Sequence, residues 1–112
     1  MTVTLPNKRR NPFANIGTDE LIELRRRCEA RGPGCLGAGQ QAHHGLVRRD
    51  RRFAKQLDVL INFQCVCWVC HTGTGYADSK ENHEKFEAMQ RERYGDDVDL
   101  FFEMLRSAGM YV

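Results

Sequence analysis

Five cysteines and three of the four histidines crowd into the stretch from Cys28 to His71, and these are residue types that bind borderline and soft metal ions. Cys67 and Cys70 have two residues between them, and Cys28 and Cys35 form a second pair with six residues between them. Four thiolates suit a closed tetrahedral zinc site, which would add folding free energy that so short a chain finds hard to gather from its core. The gap in the first pair is wider than the usual two to four residues, and Cys65 stands as an alternative ligand. We read Cys65 as a small buried apolar residue and Cys28, Cys35, Cys67 and Cys70 as the zinc set. Thiol redox chemistry at Cys67 and Cys70 is a weaker reading, because no βαβ pattern surrounds them and the other pair points to metal.

A second group runs His43-His44, then Asn62, then His71 directly after Cys70. Neighbouring residues of a strand face opposite ways, so one imidazole can hold a metal while the other acts on water. A neutral imidazole near pH 7 can take a proton from water.

This ordered set, the His-His pair, Asn62 and the Cys67-Cys70-His71 run, resembles the HNH endonuclease family over roughly residues 25–94. The likeness is to phage and bacterial members with an embedded zinc site. It implies an α+β fold: a small ββα-metal core with a zinc knuckle and flanking helices. It also implies hydrolysis of DNA phosphodiester bonds, nicking or cutting with low intrinsic sequence specificity. His43 would be a metal ligand, His44 the general base, and His71, at the start of the following helix, the second ligand. Asn62 would pin an omega-like loop and so orient His44. The cofactors implied are structural Zn²⁺ and one catalytic divalent cation: Mg²⁺, Mn²⁺, Ni²⁺ or Zn²⁺.

The family places a third ligand about one helical turn after His71, where this chain has Gly75. His83 is the expected replacement if residues 72–78 loop out before the helix resumes, with Asn82 the alternative and a merely solvent-facing His83 the plainer reading. Carried further, the resemblance implies DNA as partner and the cytoplasm of a bacterium or phage-infected cell. The chain would be a monomer or weak dimer, serving a phage DNA-processing complex. A catalytically inactive zinc-ribbon-like module that binds nucleic acid is the competing reading.

The elements that must position these residues can be traced along the chain. Residues 1–17, with Pro6, Pro12 and the basic run Lys8-Arg9-Arg10, read as a flexible arm, and residues 18–112 as one domain. Thr18 followed by Asp19 and Glu20 has the character of an N-cap with acids in the first turn, opening a short helix that ends near Cys28. The Gly- and Pro-rich run from Arg31 to Gly39 is a loop that can fold back on a metal. Gln41–Val47 and Leu60–Val66 are expected to pair as strands, with a helical turn in the charged segment between them. After a loop at Thr72–Gly75, Ser79 and Asn82 open a helix carrying Phe86, Met89 and Tyr94, which Gly95 stops. A last helix over 96–108 carries Val98, Phe101, Phe102, Met104 and Leu105 at helical spacing. That stripe reads as core, with part of it available for a dimer contact. Trp68 is expected to pack under the knuckle.

Charge divides the 112-residue chain. Residues 1–55 hold 12 Lys/Arg against 5 Asp/Glu, and residues 56–112 hold 5 against 10, so a half carrying +7 precedes one carrying −5. The basic half suits a polyanion. Arg48, Arg49, Arg51 and Arg52 follow the His-His pair, and Arg25, Arg26 and Arg27 are expected on the first helix. All are candidates for phosphate contacts that confer affinity without reading sequence. No apolar run approaches the roughly 20 residues of a membrane span. The odd cysteine count and the polar start of the chain favour a reducing, cytosolic setting over a disulfide framework.

Overall fold

A computed structural model describes residues 11–112 as an α+β arrangement of one two-stranded antiparallel sheet and several helices. Residues 1–10 of the expected arm, with Lys8, Arg9 and Arg10, lie outside the described residues. The rest of that arm is docked. Ile61 N–H donates to Pro12 O at 2.8 Å, Leu60 N–H to Ala14 O at 3.0 Å, and Phe13 packs on the core.

Helix α1 spans Thr18–Arg25. Gly17, in extended conformation, takes the cap position that Thr18 was expected to fill, while Asp19 and Glu20 face the positive end of the helix dipole. The helix stops at Arg25, before Cys28, because Arg26 turns to a φ of 69°. Leu21 buries its whole side chain against the sheet.

Strands β1 (Gln41–His44) and β2 (Phe63–Val66) pair with His43 opposite Gln64 and His44 opposite Phe63. Both are shorter than the expected 41–47 and 60–66. Gly45 ends β1 by lying against the ring of Phe86, where an added Cβ would stand 2.4 Å from the ring. Asn62 bends the approach to β2, within a tight turn over Leu60–Asn62. One sheet face, with Ala42, Phe63 and Cys65, packs on α1. The other, with His43 and Gln64, meets helix α3 (Lys80–Tyr94).

Between the strands, a 3₁₀ turn over Arg51–Phe53 leads into the short helix α2 (Ala54–Leu57), the helical turn expected there. Ser79 caps α3, its Oγ accepting from Asn82 N–H at 3.1 Å, and Gly95 ends it. Helix α4 (Asp97–Ser107) buries Val98, Phe101 and Leu105 against Leu46, Val47, Leu57 and Phe86, while Met104 stays half exposed. Among the described residues, no helix is long and apolar enough to cross a membrane.

Candidate metal centre and active-site cleft

The sulfurs of Cys28, Cys35, Cys67 and Cys70 all lie within 4.8 Å of one another. Zn–S bonds of about 2.3 Å in a tetrahedron put sulfurs roughly 3.8 Å apart; Cys35 Sγ and Cys67 Sγ are at 3.9 Å. The Gly-rich loop is what closes this cage. Gly34 and Gly37 take left-handed φ values of 75° and 90°, which cost a side-chain-bearing residue more. The bend aims backbone N–H groups at sulfur: Gly32 at Cys70 (3.3 Å), Leu36 at Cys67 (3.4 Å) and Gly37 at Cys35 (3.3 Å).

Such donors stabilise thiolate. Burial raises the Cys67 pKa, but the N–H donors from Leu36 and Cys70 outweigh it and bring the group to about 6. Burial pushes Cys70 up to about 12 and also raises Cys35, shifts that a cation among the four sulfurs would reverse. The donor set, its spacing and its N–H···S bonds fit a structural zinc ion. Cys65 stands apart. It is fully buried with Leu21, Leu60 and Phe63, and burial, aided by Glu29, raises its pKa to about 11.

Beside this centre an open cleft of about 550 Å³ is lined by His43, His44, His71, Arg48, Arg49, Asp58 and Asp78, among others. His43 and His71 meet edge to face with ring centroids 5.2 Å apart. His71 sits in a π-helical turn over Val69–Gly73, separate from α3, and its Nδ1 is 2.7 Å from Gln41 Oε1. Its Nε2 is thereby left for other use. Burial holds the His43 pKa below its ordinary value, more than Asp78 raises it, with His71 adding to the lowering. A neutral imidazole is the form that ligates metal.

His44 is held on two sides. Its ring lies 4.8 Å from that of Phe63, and its Nε2 is 2.7 Å from Asp58 Oδ1. Asn62 is fully buried and does not line the cleft. Its Oδ1 accepts from Leu46 N–H (3.0 Å) and Val47 N–H (2.8 Å), and its Nδ2 donates to Val47 O (3.0 Å) and Leu57 O (3.1 Å). It thus clamps both ends of the loop that leaves β1.

Among the described residues, the four thiols are the one group of three or more His, Cys, Asp or Glu that converges as a metal cage. His43, His71 and His83 do not. His83 Nδ1 is 3.0 Å from Gly45 O, and its Nε2 is 3.9 Å from Glu87. Asn82 is fully buried, bonded to Gln64 and Ala77 O, and does not line the cleft. The group beside His43 is instead Asp78, its Oδ1 3.8 Å from His43 Nε2. Asp58, Asp78 and Gln41 were missed by sequence reasoning. Each lies well away in sequence from the histidine it meets, so spacing carried no signal for them.

The arginines separate. Arg48 and Arg49 line the cleft. Arg51 is exposed, and the exposed Arg52 is bonded to Asp50 at 2.9 Å. Arg25 is drawn inward, its Nη2 donating to Tyr94 OH at 2.6 Å and its Nε 3.6 Å from Glu29, so it is a structural cation and not a lining residue. Arg26 and Arg27 are exposed, but neither lines the cleft. Trp68, expected to lie under the knuckle, is 50% exposed. Set against models of known protein families, curated proteins and solved structures, the chain matches none of them.

Proposed function

We propose that this protein is a metal-dependent endonuclease of the HNH type that hydrolyses phosphodiester bonds of DNA with little intrinsic sequence preference. The observation that carries the reading is a shared cleft: the His43–His71 pair, the restrained His44 and two cleft arginines line one opening. The four-thiol centre would hold structural zinc and fix the turn that presents His71. A catalytic divalent cation would be held by His43 and His71, with the exposed Asp78 closing in from its place beside His43 as third ligand, since the three do not converge as they stand; when bound it would supply Lewis-acid stabilisation of charge on the scissile phosphate.

The chain's own residues do the rest. A water oxygen lone pair attacks phosphorus, its proton passes to His44, and the P–O bond to the leaving oxygen breaks with its electron pair. Arg48 and Arg49 neutralise the phosphates that flank the cut and read no base, which accounts for low sequence preference. Asn62 holds the loop that carries them.

The test is conversion of supercoiled plasmid to open-circular product by zinc-loaded protein with added Mg²⁺, Mn²⁺, Ni²⁺ or Zn²⁺. We expect nicking with at least one cation, and a His44→Ala variant at least about 10²-fold slower. Equal activity in that variant overturns the mechanism. The convergence of the four thiols alone favours the second reading, a zinc-clamped module that binds DNA without cutting it. That reading takes over if the protein retains DNA on a filter while no cation supports nicking.

A further inference from the structure

We propose that Asp58 is the positioning residue for His44, fixing which imidazole nitrogen is free to take a proton. The inference rests on the nuclease reading for its catalytic meaning and on geometry for its substance. A carboxylate can only accept at 2.7 Å, so His44 Nε2 carries a hydrogen, and in the neutral ring Nδ1 is then the bare nitrogen. The ring of Phe63, 4.8 Å away, limits rotation of the imidazole from its other side. As Nδ1 takes up the proton of the attacking water, the positive charge that forms on the ring lies against the Asp58 carboxylate. No proton need move to Asp58 itself.

Asp58 is held in turn. Its backbone N–H donates to Ala54 O at 2.8 Å, capping α2. The side-chain amide of Asn15 donates to Asp58 O at 2.9 Å and to Lys55 O at 3.1 Å. Asn15 also bridges to Val59. The segment before α1 therefore clasps the backbone that carries the Asp58 carboxylate, and Asn15, Asp58 and His44 form one line of contacts from the start of the domain into the cleft. Half of the Asp58 side chain is exposed, so substituting it opens no cavity in the core.

The experiment compares wild type, Asp58→Ala, Asp58→Asn and Asn15→Ala, all zinc-loaded, with no second cation present during spectroscopy. Long-range ¹H–¹⁵N spectra of the imidazoles, with His44 assigned by its loss in His44→Ala, report the tautomer directly. We expect wild-type His44 in the Nε2–H form and a mixture of tautomers in Asp58→Ala. In plasmid nicking, Asp58→Ala and Asp58→Asn should lower kcat roughly 10- to 100-fold, no more than loss of the base itself, with KM within about threefold of wild type. Asn15→Ala should fall between wild type and Asp58→Ala in both readouts. An unchanged His44 spectrum in Asp58→Ala overturns the proposal whatever the activity. A wild type that shows the fixed tautomer, lost in Asp58→Ala, but never nicks DNA removes the nuclease reading and leaves the positioning supported.

Discussion

Gln64 and Asn82 exchange a reciprocal pair of amide hydrogen bonds, Gln64 Nε2 donating to Asn82 Oδ1 at 3.0 Å and Asn82 Nδ2 to Gln64 Oε1 at 2.8 Å. Both side chains are fully buried, and they bolt the strand opposite His43 to the first turn of α3. Leaving one such group unpaired in the interior costs more than the bond itself is worth. Asn82→Leu, which strands both Gln64 and Ala77 O, should destabilise the fold by about 2–3 kcal/mol, a Tm drop of roughly 10 °C or more for a domain this size. Thermal melts at fixed zinc concentration check this. A shift below about 2 °C would mean the pair contributes little beyond shape.

Zinc should be part of the fold. The thiol centre takes Cys28 and Cys35 from the segment between α1 and β1 and Cys67 and Cys70 from the turn after β2, and so joins two stretches far apart in the chain. Binding energy at such a site is folding energy. One zinc per chain should co-purify, and a strong chelator should abolish cooperative melting. Cys28→Ser should do much the same, whereas Cys65→Ala should keep full zinc content. Elemental analysis with circular dichroism decides it: a Cys65 variant that loses metal would shift the ligand set.

Much of this was legible in the sequence where the signal is local. The cap at Ser79, the stop at Gly95 and the amphipathic stripe of α4 are short-range features, and all three appear where expected. The four cysteines were legible because thiols have few other reasons to gather in a turn-rich segment. The contacts that tune the cleft were not. His44 meets Asp58, Arg25 meets Tyr94 and His71 meets Gln41 only because the loop, α3 and the π-helical turn fold back on the sheet. The π-helical turn itself has no pattern in the residues Val69–Gly73 that sets it apart from an ordinary loop. The strand ends were missed for a similar reason: Gly45 stops β1 through its fit to Phe86, far along the chain.

The third ligand of the proposed catalytic ion can be assigned by substitution. Asp78 stands beside His43, while His83 is turned toward Gly45 O and Glu87. Asp78→Asn should weaken binding of Mn²⁺ to the zinc-loaded protein at least about tenfold, since a hard cation favours a charged oxygen ligand. His83→Ala should change it less than about twofold. Titration followed by electron paramagnetic resonance of free Mn²⁺ reads both. The reverse ranking would return His83 to the ligand set and remove Asp78.

The arginines should divide in their response to salt. Each phosphate neutralised on duplex DNA contributes about 0.9 to the slope of log affinity against log salt. Arg48 and Arg49 line the cleft, so Arg48→Ala and Arg49→Ala should each lower that slope by about 1 and weaken binding of all sequences alike. Arg52 is exposed but shares its charge with Asp50, so its removal should cost less. Arg25 offers the internal contrast. Tied to Tyr94 and Glu29, it should leave the slope unchanged when replaced by Leu, while the loss of its partners' bonds lowers Tm. Fluorescence anisotropy with a labelled duplex across a salt series measures the slopes. If Arg25→Leu flattened the salt dependence while Arg48→Ala and Arg49→Ala did not, DNA would lie on another face of the molecule and the cleft would not be its site.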